Sequence, residues 1–161
     1  VKRSAALALA LVLAACGGGR ANPREVLESL RAALVTEDAA ALDALLDSES
    51  VAHRRDEVRE KRAMLERGDD AKTVLDGFPL TADEIRRGTE AEAAVLVLRK
   101  RSPLFSQAGW IESATVAAEE PENADVTLLR LRGPDGVERN FWFLREGGRW
   151  CFDLYRTTRA W

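Results

Sequence analysis

Four side chains near the end of the chain carry the most chemistry: Asn140, Trp142, Asp153 and Tyr155. An amide, an indole N–H, a carboxylate and a phenol can orient a small polar ligand. A carboxylate beside a phenol can also move a proton, given a substrate pose and a tuned pKa. Their spacing suggests a shared surface. If Gly147-Gly148 is the whole loop of a hairpin, Glu146 faces Arg149. Leu144 then meets Cys151, Trp142 meets Asp153, and Asn140 meets Tyr155 on one side of the strand pair. The other side pairs Arg145 with Trp150, Phe143 with Phe152, and Phe141 with Leu154. That second side reads as hydrophobic packing. The mixed side is what lines a small-molecule pocket, or else a core whose polar tips find hydrogen-bond partners, or an edge covered by solvent. Both sides carry apolar groups, so the hairpin is expected at the centre of its sheet.

Cys16 is the other chemically loaded position. It follows Leu13-Ala14-Ala15 and precedes Gly17-Gly18-Gly19. Lys2 and Arg3 supply a positive start, and Ala5 to Leu13 is unbroken apolar sequence. These are the three parts of a secretory signal peptide. A spanning helix needs about 20 apolar residues, more than this run provides. An ordinary secretory signal would suit Ala14 and Ala15 equally well, but it leaves Cys16 without a role. The Leu-Ala-Ala-Cys run resembles the lipobox of bacterial lipoproteins. That resemblance implies cleavage after residue 15, acylation of Cys16, a flexible tether over 16–22, and one domain over 23–161. It also implies two or three acyl chains on one cysteine; at about 0.8 kcal/mol per buried methylene, that is a lasting anchor where a single chain is marginal. Gly17 rather than Asp after the cysteine resembles outer-membrane sorting, facing the periplasm, in hosts with two membranes.

Composition narrows the partners. The 161-residue chain has a net charge of −3, and the leading segment holds Lys2 and Arg3 with no acid. The remainder is therefore more acidic than the whole, which argues against nucleic acid as a partner. With Cys16 acylated, Cys151 has no partner within the chain, so no disulfide framework is expected. Cys151 itself reads as a small buried hydrophobe. His53 is the single histidine, no Cys/His cluster suggests a metal, and no motif implies a cofactor.

The positioning elements follow from caps and periodicity. Asn22-Pro23-Arg24-Glu25 opens a helix whose apolar face is Val26, Leu27, Leu30, Ala33 and Leu34. Leu42, Leu45 and Leu46 mark a second, short helix. Asp47 to Ser50 reads as a linker, and Val51 to Arg67 as a charged helix with a thin stripe of Val51, Val58 and Leu65. Within it, His53-Arg54-Arg55 reads as a solvated face, with an anion site as the rival, because Asp56, Glu57 and Glu60 follow. Thr81-Ala82-Asp83-Glu84 has the form of a capping box, Gly88 breaks the helix it starts, and Thr89 recaps a helix to about Lys100. The pattern then alternates: Trp110–Glu119, Asp125–Arg132, Val137–Arg145 and Arg149–Arg156 read as four strands, with Pro121-Glu122-Asn123 between the first two. Helices followed by an antiparallel meander make an α+β domain.

N-terminal helices packed on a curved four-stranded sheet resemble the cone of the nuclear transport factor two-like (SnoaL-like) family. The matching residues are Val26, Leu30, Ala33-Leu34, Asp38, Leu42 and Leu45-Leu46 at the front. At the back they are Phe141-Trp142-Phe143-Leu144-Arg145-Glu146-Gly147-Gly148-Arg149-Trp150-Cys151-Phe152-Asp153-Leu154. The resemblance implies a cone interior that could carry Asp, His or Tyr chemistry, here Asp153 and Tyr155 with His53. Fold analogy alone assigns no activity. The leading expectation is a lipid-anchored envelope protein that binds a small ligand or another envelope protein without catalysis. The alternatives are an isomerase, dehydratase or hydrolase using Asp153 and Tyr155, and an interaction module that forms a homodimer through the exposed sheet face. Mass spectrometry of the native protein should find acylated Cys16 as the first residue, and Cys16→Ser should leave the membrane fraction. An acyl-free thiol at Cys16, or another mature start, would overturn the anchor.

Overall fold

The computed structural model describes residues 20–159; Cys16 and the segment before it lie outside them. The Asn22 side chain accepts the Glu25 N–H at 3.0 Å and caps α1 (Pro23–Val35). Pro23 sits in the first turn, where the absent N–H would have no partner anyway. The expected stripe Val26, Leu27, Leu30, Ala33 and Leu34 is buried. The helix closes in a Schellman turn, with Glu37 N–H on Leu34 O and Asp38 N–H on Ala33 O. Glu37 occupies its left-handed position at φ 52°. Asp38 then caps α2 (Ala39–Asp43).

Asp47 to Ser50 is not a linker. Asp47 is the N-cap of α3 (Ser48–Glu66), accepting the buried Ser50 N–H at 2.8 Å as well as the Ser50 hydroxyl. A short α4 (Ala71–Val74) follows, then α5 (Ala82–Arg86) and α6 (Glu90–Arg101). Both threonine capping boxes are present, at Thr81 with Glu84 and at Thr89 with Glu92. Gly88 joins α5 to α6 at φ 102°, and a Cβ there would come within 2.5 Å of the Glu92 carboxylate. Only glycine leaves room for the second box. The Lys100 ammonium, together with the Thr81 N–H, holds the Glu84 carboxyl down at about 2.

Pro103 ends α6 and starts α7 (Pro103–Ser106), and α8 (Ala108–Ser113) follows. The first expected strand therefore loses its first half: Trp110 lies in α8, and β1 runs Thr115–Asn123. The Arg31 guanidinium donates to Ile111 O at 3.1 Å and Ala114 O at 2.5 Å, filling the carbonyls that a helix end leaves open. The Trp110 indole donates to Asp135 at 3.0 Å beneath the Arg139 guanidinium. Pro121-Glu122-Asn123 belongs to β1 rather than to a turn; β1 is an edge strand, where a proline is tolerated.

β2 (Val126–Arg132), β3 (Glu138–Glu146) and β4 (Arg149–Asp153) complete an antiparallel meander in the order β1-β2-β3-β4. Gly147 and Gly148 at φ 55° and 81° make the two-residue turn. The register is as expected from Glu146↔Arg149 to Trp142↔Asp153. There β4 stops, and Leu154–Arg159 forms α9, so the pairs Phe141–Leu154 and Asn140–Tyr155 do not form. β4 is an edge and not the sheet centre. Its outer side is covered: Phe152 N–H bonds Leu45 O at 2.8 Å, Asp47 N–H bonds Phe152 O at 3.2 Å, and Leu46 bridges Phe152 in parallel.

Two hydrophobic cores result. One packs α1 and α2 against the sheet face carrying Phe141, Phe143 and Phe152. The second gathers Val58, Leu65, Leu80, Ile85, Ala94 and Val97 between α3, α5 and α6. No helix among the described residues is long and apolar enough to cross a membrane. Phe152 is fully buried and also holds the covered edge. Phe152→Ala should cost about 3–5 kcal/mol in urea unfolding. A loss below about 0.5 kcal/mol, in the range of a surface change, would show that the Phe152 ring does not anchor this core.

Candidate functional site

The chain turns from strand to helix at Asp153 because two side chains make the helix satisfiable. The Asp153 carboxylate accepts the Arg156 N–H at 2.8 Å, as an N-cap does. The Thr157 hydroxyl accepts the Trp142 N–H at 3.0 Å, taking the place of the ladder bond that a longer β4 would supply. Thr157 is fully buried to do so.

This turn separates the four residues that the sequence grouped. Asn140 is left opposite Arg130 of β2. Trp142 lies on the sheet face away from Phe141 and Phe143, with the Arg156 guanidinium 4.7 Å from its ring centroid and Arg156 paired to Glu122 at 3.2 Å. Neither Asn140 nor Trp142 lines the depressions described next; Trp142 reaches them only through Arg156. Asp153 and Tyr155 instead face α3. There the His53 ring meets Tyr155 edge to face, centroids 5.0 Å apart at 83°.

His53 and Tyr155 form a partition between two adjoining depressions. The smaller, of about 290 Å³, is lined on its apolar part by buried Val97 and Leu98, half-buried Leu154 and exposed Pro103. His53, Arg54, Glu57, Arg101, Ser102 and Tyr155 make its polar wall. The larger, about 590 Å³, is charged: Glu49, Asp56 and Asp153 against Arg156 and Arg159. The smaller one lies where the two cores meet, since Val97 belongs to one and Leu98 to the other.

The solvated-face reading of His53-Arg54-Arg55 needs correction at Arg54. His53 is exposed, but Arg54 is 7% exposed and pairs with Asp43 at 2.6 Å. Arg54 stands one turn from both Val51 and Val58, on the thin apolar stripe; the carboxylate that lets it be buried lies on α2, where no pattern within α3 shows it. Arg101 is more open and pairs with Glu57 at 3.0 Å. Cys151 is a buried free thiol, and burial pushes its pKa up. Such a thiol is a poor nucleophile. Among the described residues, no group of three or more His, Cys, Asp or Glu side chains is placed to hold a metal ion. No family model, curated protein or solved structure matches the chain.

Burial, reinforced by the Asp47 and Glu49 charges, raises the Asp153 pKa against the opposing Arg156 N–H bond. The folded chain thus holds this proton more tightly than the unfolded one. Stability from this group falls as pH rises from about 3.9, the ordinary Asp value, through the raised value, and stays lower above it. Asp153→Asn keeps an oxygen for the α9 cap. Its urea midpoint should match the parent near about pH 3 and exceed it near about pH 7. Equal midpoints at both pH values would refute the burial cost.

Proposed function

We propose that the chain is a lipid-anchored cell-envelope protein whose domain binds a small ligand without catalysis, at the depression between α3, α6 and α9. The single observation that carries the binding role is that depression, lined by both apolar and polar side chains and near the lower end of the ~300–1,000 Å³ usual for small-molecule sites. The nuclear transport factor two-like cone is supported by α1 and α2 lying on one face of a four-stranded antiparallel sheet. On this reading Phe141, Phe143 and Phe152 fill the interior of the cone, and the ligand sits beside it. The anchor rests on the Leu13-Ala14-Ala15-Cys16 run.

One observation favours an enzyme as the second reading: His53, Asp153 and Tyr155 line the same larger depression. An activity that depends on them should be lost in Asp153→Asn and Tyr155→Phe; turnover surviving both removes that reading. For binding, the partly buried Thr158 on the wall offers a plug. Native mass spectrometry of the purified chain should show a small-molecule adduct that Thr158→Trp abolishes while the far-ultraviolet circular dichroism and the melting temperature are kept. A chain that carries no adduct, and that no compound in a metabolite screen stabilises against heat, would sink the binding role.

A further inference from the structure

The wall of the smaller depression is unbalanced in hydrogen-bonding capacity. Arg54 and Arg101 both line it, and each guanidinium carries five N–H donors and no acceptor. Arg54 uses Nη2 on Asp43 at 2.6 Å, while its Nε, shut away from solvent, has no partner. Arg101 uses Nη1 on Glu57 at 3.0 Å. Glu57 is the one carboxylate among the described residues of this wall, and Arg101 already engages it. The Thr158 hydroxyl donates to Leu154 O of its own helix at 2.8 Å. The negative end of the α6 dipole faces the depression and disfavours an anion there, but Arg99, Lys100 and Arg101 occupy its last turn and offset it.

A pocket with surplus donors, guanidinium groups and apolar lining residues selects an acceptor-rich group on an apolar body. Of the acceptor-rich groups, a carboxylate matches the planar fork of arginine and gains a charge-assisted bond. A phosphate dianion would bring two charges to a wall whose arginines are already paired with Asp43 and Glu57. We infer that the smaller depression takes a small organic carboxylate, its charged end toward Arg54 and Arg101 and its apolar body on Val97, Leu98 and Pro103. This rests on the depression being the ligand site of the proposed function, and it names the ligand class there.

The test uses the full chain carrying Cys16→Ser, which keeps it free of acyl groups, in isothermal titrations with four probes: hexanoate, hexanamide, hexylamine and benzoate. Hexanoate or benzoate should bind more tightly than the amide and the amine. Arg101→Gln, at a mostly exposed side chain, should weaken the carboxylate about tenfold or more without lowering the melting temperature. Hexanoate against benzoate tells a chain-shaped from a ring-shaped body, and a preference for either supports the class. Amide binding equal to hexanoate, tighter amine binding, or carboxylate affinity unchanged in Arg101→Gln would overturn the class while leaving a ligand pocket in place. Heat-stabilising compounds that are not acids, found in a wider screen, would have the same meaning. Absence of binding by every compound would overturn the pocket as well.

Discussion

Two backbone hydrogen bonds and one parallel bridge, between residues 45–47 and Phe152, tie the helical part of the chain to the sheet. β4 would otherwise present an open row of N–H and C=O groups, which a folded protein has to cover or disguise. The same contact fixes Asp47, whose carboxylate starts α3. It thereby sets where α3 begins and which of its residues face α9. His53 meets Tyr155, and Arg54 meets Asp43, because that start is pinned to a strand near the other end of the chain. β1, the opposite edge, is handled differently. It carries Pro121, three glutamates and two register shifts, features that discourage pairing with another strand.

Local chemistry was legible in the sequence wherever the partners lay within a turn of one another. Asn22 with Glu25, Thr81 with Glu84 and Thr89 with Glu92 close their caps three residues apart, and each helix starts where its cap says. The hairpin register likewise needed only the glycine pair. What could not be read locally was any element whose ends are satisfied from afar. α8 closes on Arg31, which lies far back in α1. Alternating residues from Trp110 onward resemble a strand until that guanidinium is in place. α9 exists because Thr157 reaches back to Trp142. In sequence, the two threonines after Arg156 favour a strand as much as a helix.

The candidate site shows the same division. Asp153 and Tyr155 were recognisable by type, and both line the cleft. Their grouping with Asn140 and Trp142 assumed that β4 continued, and it stops at Asp153. Arg54 looked like one more charge on a polar helix face. It is buried because Asp43 ends α2 just where the pinned start of α3 brings it within reach. Cooperation between segments distant in the chain, rather than any motif, makes the cleft.

The second core has a dynamic consequence. α3 and α6 run from one core into the other, while α4 and α5 touch mainly the second. A lobe with its own apolar interior forms a cooperative unit, able to open at less cost than the whole molecule. Val97 on that lobe and Leu154 beside the sheet both line the smaller depression. Breathing of the lobe would therefore shift the Val97 lining of the depression relative to Leu154 while the hydrogen bonds of the meander stay in place.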